Sequence, residues 1–171
     1  MNWVEAATLP RRNKIARSRV QPHVTISVSH YYGASPAHAF DAWLDPEIGG
    51  KWLFATASQP MAHVEIDARV GGSFCFVERQ AGETVRYMGK YVEIVPDRRL
   101  VFTLSMEPHP DVITRVAVTI APLAKGCSLR LTHDNIPQTH ASYVEGRWTG
   151  ILYGLGVTLD SVSALFHDEQ E

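Results

Sequence analysis

EGRWTGILYGLGVTLDSVSALF, residues 145–166, is the stretch on which the fold turns. Trp148, Leu152, Leu155, Leu159, Val162 and Phe166 follow one another at spacings of four and three. Residues three and four apart share a helix face, so this rhythm draws one apolar stripe along five turns. The predicted helix runs over about 139–167. A helix with one apolar stripe has to bury it against a second layer. Gly146, Gly150 and Gly154 form a row beside the stripe. Glycine inside a helix costs up to about 1 kcal/mol relative to alanine. The row therefore predicts a bulky neighbour close to the backbone: a sheet side chain, a ligand, or the helix of a second copy in a homodimer.

Upstream of this helix the period changes from 3.6 to 2. Leu100/Phe102/Leu104/Met106, Val116/Val118/Ile120 and Leu129/Leu131/His133 alternate with outward residues, the mark of half-buried strands. Strands are predicted near 63–69, 73–79, 85–95, 99–106, 113–121 and 127–134. Gly71-Gly72, Ala81-Gly82, Pro96-Asp97 and Lys125-Gly126 supply turns, and Pro108 and Pro110 bound a longer loop. A further strand begins at Val24, where Val24, Ile26 and Val28 alternate with Thr25, Ser27 and Ser29. After it, Ser35-Pro36 is an N-cap followed by a first-turn proline. The helix it opens, about 36–44, puts Phe40, Trp43 and Leu44 on one side, and Asp45-Pro46 ends it. A second short helix or turn over 46–53 delivers Trp52.

The expected fold class is α+β: a strongly twisted antiparallel sheet of six to seven strands around a long C-terminal helix, with one or two short helices after the first strand. Such a sheet gripping a helix leaves room for a pocket between them.

Composition agrees with one ordinary domain. The 171 residues are 45% apolar and 20% charged, which argues against disorder, collagen and a disulfide scaffold. The net charge of −2 is a sum of unlike parts. Residues 1–21 carry Arg11, Arg12, Lys14, Arg17 and Arg19 against Glu5, and residues 22–171 carry the remaining 11 bases and 17 acids. The reading is a basic, flexible N-terminal arm (1–21) followed by one folded domain (22–171). An acidic folded domain is not expected to bind nucleic acid. Cys75 and Cys127 lie in strand-like runs with no metal-ligand spacing, so reduced, buried thiols and a cytoplasmic location are expected. No stretch reads as a membrane span or a signal peptide.

Several segments together carry a family resemblance. They are Ser35-Pro-Ala-His-Ala-Phe-Asp-Ala-Trp-Leu-Asp-Pro46 with Trp52, Ile66-Asp-Ala-Arg-Val-Gly-Gly72, and Gly89-Lys-Tyr91 with Pro96. Leu100-Val-Phe-Thr103, Leu129-Arg-Leu-Thr-His133 and Glu145-Gly-Arg-Trp148 complete the set. From about Val24 to Phe166 the chain resembles the START-like, helix-grip superfamily SRPBCC. Within it, the chain is most similar to proteins like the C-terminal domain of the heat-shock-protein-90 ATPase activator. The resemblance implies a helix-grip fold and a pocket. It does not imply one reaction, since the superfamily holds lipid carriers, hormone receptors and cyclases. A chaperone partner is not expected, because only 21 residues precede the first strand where the eukaryotic activators carry a separate domain.

Candidate pocket walls are Trp52, Tyr87, Phe102, Met106, Trp148 and Tyr153, aromatic or adaptable residues with a few polar tips. His133 and His30 continue the inward phase of their strands, and His133 is a candidate polar anchor for a ligand. His38 and His140 read as solvent-facing. Asp67 and Arg69, two apart on a strand, read as a pair bracing the Gly71-Gly72 turn. No catalytic residue is assigned: there is no Gly-x-Ser-x-Gly elbow and no phosphate loop, and nothing selects among Glu78, Arg79, His30 and His133 as an acid or base. No metal and no cofactor is expected. The leading expectation is binding of a small apolar or aromatic molecule in a cavity between the long helix and the sheet. The alternatives are a cyclase- or hydrolase-type enzyme using that cavity, and a co-chaperone or interaction protein.

Overall fold

In the computed structural model, residues 20–55 and 61–167 are described, apart from the side chains of Gln80, Phe166 and His167. The basic arm therefore lies outside the described residues except for its last two positions. Strand β1 (His23–Tyr32) comes first, then helices α1 (Pro36–Asp41) and α2 (Pro46–Trp52). Strands β2 (His63–Ile66), β3 (Ser73–Gln80), β4 (Glu83–Val95) and β5 (Arg99–Met106) follow. Strands β6 (His109–Pro122) and β7 (Cys127–Pro137) lead into helix α3 (Ala141–His167).

The seven strands form one antiparallel sheet in the order β1-β7-β6-β5-β4-β3-β2. Strands β2 to β7 are a meander, and β1 closes its far edge beside β7. Helix α3 lies against β1, α2 and β7. This is the α+β, helix-grip architecture expected from the sequence.

Local chemistry explains the junctions. Ser35 caps α1 by accepting from His38 N–H at 3.3 Å, and Asp45 caps α2 by accepting from Glu47 and Ile48 N–H at 2.8 and 3.1 Å. Arg69 braces Asp67 with its Nε 2.8 Å from Oδ2, but in the turn rather than on a strand, since β2 ends at Ile66 and not at the expected 69. Gly72 is required there, since a Cβ would run into the Asp67 carbonyl oxygen. The Pro108/Pro110 loop is shorter than expected: Met106 already pairs with His109, and the turn between them holds a cis Glu107–Pro108 bond.

The sheet side chain expected against the glycine row is not there. A Cβ on Gly146 or Gly150 would meet nothing within 4 Å, and one on Gly154 would only touch Trp52. The glycine that admits a sheet residue is Gly156, where a Cβ would lie 3.4 Å from the Tyr32 ring. Tyr32 reaches α3 there and donates its hydroxyl to the Leu152 carbonyl at 2.8 Å. Both cysteines are free thiols; Cys127 is buried, but Cys75 is only half-buried. Burial raises the pKa of both. No helix among the described residues is long and apolar enough to cross a membrane.

Candidate functional site

The concave face of the sheet is built by strand alternation. Phe74, Phe76 and Glu78 on β3 face inward, as do Tyr87 and Tyr91 on β4, and Phe102, Leu104 and Met106 on β5. Thr114, Val116 and Val118 on β6 and Leu129, Leu131 and His133 on β7 continue it. From α3, Val144, Trp148, Ile151, Leu152 and Leu155 close over this face.

Of the seven residues proposed as pocket walls, Trp52, Tyr87, Phe102, Met106, His133 and Trp148 are buried in this core. Tyr153 is not: it is 67% exposed on the outer side of α3, beside a shallow cleft of about 190 Å³ near Tyr32 and Gly156. The reason is angular. Tyr153 follows Leu152 by one residue, which turns it about 100° off the apolar stripe. His30 is half-buried with its ring 4.6 Å from Tyr32, His38 is exposed, and His140 is half-buried rather than solvent-facing.

The interior is filled where an open cavity was expected. Two voids of about 10 Å³ each remain between sheet and helices. The first borders Trp43, Leu53, Phe74 and Phe102; the second borders Phe54, His133, Arg147 and Trp148. The physical cause is the size of the side chains that line them. Trp43, Trp52, Tyr87 and Phe76 are fully buried and occupy the space themselves. A hollow of about 660 Å³ lies on the outside, between α1 and the ends of β4 to β6, bordered by Arg98 and Arg99. None of the proposed residues reaches it.

Polarity inside the core is concentrated at one end. Among the described residues, the polar or charged side chains that are buried are Glu78, Thr114 and His133, all on the concave face near the start of α3. His133 Nδ1 accepts from Trp148 Nε1–H at 2.9 Å. An indole only donates, so Nδ1 carries no proton and the neutral ring's hydrogen sits on Nε2. Nε2 then donates to Thr114 Oγ1 at 2.8 Å, and Thr114 donates onward to the Leu104 carbonyl at 3.1 Å. Burial pushes the His133 pKa down to about 4, against a smaller opposing effect of Asp134.

A second chain runs beside it. Tyr87 donates its hydroxyl to Glu78 Oε2 at 2.9 Å and accepts from Arg147 at 3.2 Å. Burial raises the Tyr87 pKa; Arg147 opposes the rise and Glu78 adds to it. Phe54 lies flat on the Tyr87 ring, with centroids 4.4 Å apart and planes 5° apart. Sequence reasoning missed Phe54, Thr114 and Trp43 as site residues. Thr114 had a signal, a polar residue in phase with Val116 and Val118; Phe54 sits in a loop, where no period marks it.

Among the described residues, no group of three or more His, Cys, Asp or Glu side chains is placed to hold a metal ion.

A long helix gripped by a twisted antiparallel sheet, with a buried concave face between them, defines a START-like helix-grip domain. The chain belongs to the family described as activator of Hsp90 ATPase homolog 1-like protein, whose model matches residues 33–160. A Chromobacterium violaceum protein of known crystal structure is 27% identical, with a TM-score of 0.71, covering 79% of this chain and 96% of its own. A Rhizobium loti protein is 26% identical, with a TM-score of 0.67, covering 80% and 97%. A Staphylococcus aureus protein of unknown function shares the fold at 16% identity and a TM-score of 0.76, covering 84% and 97%. No curated protein matches the chain.

Proposed function

We propose that this domain binds a small apolar or aromatic molecule carrying a polar group, between α3 and the polar end of the concave face. The observation that carries the reading is the gathering of Glu78, Thr114 and His133 with Arg147 and Trp148 at one end of an otherwise apolar core. A core built for stability alone gains little from such groups, since buried polar atoms return only about 1 kcal/mol per hydrogen bond formed. A binding site needs them, because a few convergent polar groups orient a ligand held by apolar walls. Two small voids in the core give the ligand a starting space that side-chain displacement would enlarge.

Thermal unfolding with a panel of aromatic and aliphatic compounds tests this. A ligand at a hundred times its Kd stabilises by about 2.7 kcal/mol. At this chain length that is a rise in Tm of roughly 5 to 10 °C. A panel of naphthalenes, fatty acids and sterols that leaves Tm unmoved overturns the reading.

A further inference from the structure

We infer that the Leu53–Phe54 pair stands in for part of the ligand, and that the ligand is a flat aromatic compound with an oxygen acceptor at each end. The inference rests on the binding reading above and narrows it to a chemical class. Leu53 and Phe76 border one void and Phe54 the other, and the Phe54 and Phe76 rings meet edge to face with centroids 5.5 Å apart, so this ring contact lies between the two linings. Phe54 holds a φ of 61°, the left-handed region that residues with a side chain seldom occupy. Return of Phe54 to a negative φ withdraws its ring from Tyr87. The withdrawal joins the voids into one slot and leaves the Tyr87 face open to another ring. The slot is walled by aromatic rings: Phe76 is 5.5 Å and Trp148 6.0 Å from the present Phe54 ring. A planar aromatic ligand restores the lost stacking.

The two ends of this slot both offer donors. At one end, Trp43 Nε1–H is buried with no hydrogen-bond partner, although Trp43 borders the first void. Buried donors are rarely left unpaired, and an acceptor brought by a ligand would satisfy this one. At the other end stands Arg147, with one nitrogen used by Tyr87 and further N–H groups in its fork. The acceptor there is better neutral than anionic. Arg147 is already balanced by Glu78 through the shared Tyr87 hydroxyl, and a second carboxylate beside buried Glu78 would be repelled. An aromatic ring with a ketone or similar carbonyl at each end meets all of these conditions.

Three probes of nearly equal shape separate the terms: 2,6-diacetylnaphthalene, 2-acetyl-6-ethylnaphthalene and 2,6-diethylnaphthalene, titrated into the full chain by calorimetry. Each acceptor is expected to tighten binding about fivefold, the worth of one net hydrogen bond. Trp43→Phe and Arg147→Met each change the walls of the slot, so the readout is the ratio of diacetyl to diethyl affinity within each variant, and each is expected to shrink that ratio by one such increment. The Phe54 ring proton signals, shifted by the Tyr87 stack, are expected to move on saturation. Equal affinity for all three probes overturns the acceptor inference while leaving an apolar binding site in place. Tight binding with unmoved Phe54 signals overturns the displacement of Phe54. No binding of any probe overturns the aromatic class of ligand, while the binding reading stands or falls with the fatty acids and sterols of the thermal panel.

Discussion

His133 shows how a single residue ties the core to pH. Its unfolded-state pKa is about 6.5, and burial holds the folded value near 4. Between these values the unfolded chain binds a proton that the folded one refuses. Stability from this group is therefore complete above about pH 6.5 and is lost as pH falls toward 4. Protonation of Nδ1 would also set two N–H groups against each other at the Trp148 contact. Between pH 7.5 and 5 the wild type is expected to lose about 2 kcal/mol more than His133→Gln in urea unfolding. Equal losses would mean that His133 titrates as it does in the unfolded chain. Tyr87→Phe removes the hydroxyl that Glu78 and Arg147 share. Its expected cost is about 2 kcal/mol, with most of it absent when Glu78→Gln is already in place.

These residues also show how much of the site was legible. Glu78 shares the inward phase of Phe74 and Phe76, and a charged residue in that phase was visible in the sequence. Its partners were not: Tyr87 lies nine positions away and Arg147 sixty-nine, and only the folded sheet and helix bring them together. Periodicity reports which way a side chain faces, not what it meets. Trp43 Nε1 is the extreme case, because its lack of a partner is a property of the finished core.

At the scale of elements, short-range rules carried almost everything. Alternation and turn residues located the strands, and the Ser35 cap with the Asp45-Pro46 break located both short helices, although the role of Asp45 as the cap of the second was not read. The long helix fell within two residues of its expected start, because a 3-10 turn over Gln138–His140 precedes it. The glycine row does not meet the sheet, because periodicity places residues in a line without saying which way that line faces. The same row gives a contrast in stability. Gly146→Ala and Gly150→Ala meet open space, so each is expected to stabilise by about 0.5 to 1 kcal/mol through helix propensity alone. Gly89→Ala is the opposite case. A Cβ there would be driven into the Thr103 carbonyl oxygen of the neighbouring strand, backbone that cannot swing aside. It is expected to cost more than about 3 kcal/mol, or to prevent folding, by urea titration or expression. A Gly89→Ala protein as stable as wild type would show that β4 and β5 can part without penalty.

For the whole molecule, charge is divided unevenly along the chain. Residues 1–19 hold five bases and one acid, and residues 20–171 hold 11 bases and 17 acids, so the first segment is +4 and the remainder −6. The backbone tie between the two ends of the domain falls after that boundary, where Gln138 N–H donates to the Pro22 carbonyl at 3.0 Å. Removal of residues 1–19 therefore leaves β1 and the start of α3 joined. The truncated chain is expected to melt within about 2 °C of the full one, since no described core residue is lost. Its behaviour on a polyanion should change completely. The full chain is expected to be retained on heparin at 50 mM salt and released by a few hundred millimolar, and the truncated chain to flow through. Retention of the truncated chain would place an anion-binding surface on the acidic domain itself, with the Arg98–Arg99 hollow as the place to look. A large drop in Tm would instead mean that the basic segment packs on the domain. In that case its charge serves the fold, and the division at the first strand is one of sequence only.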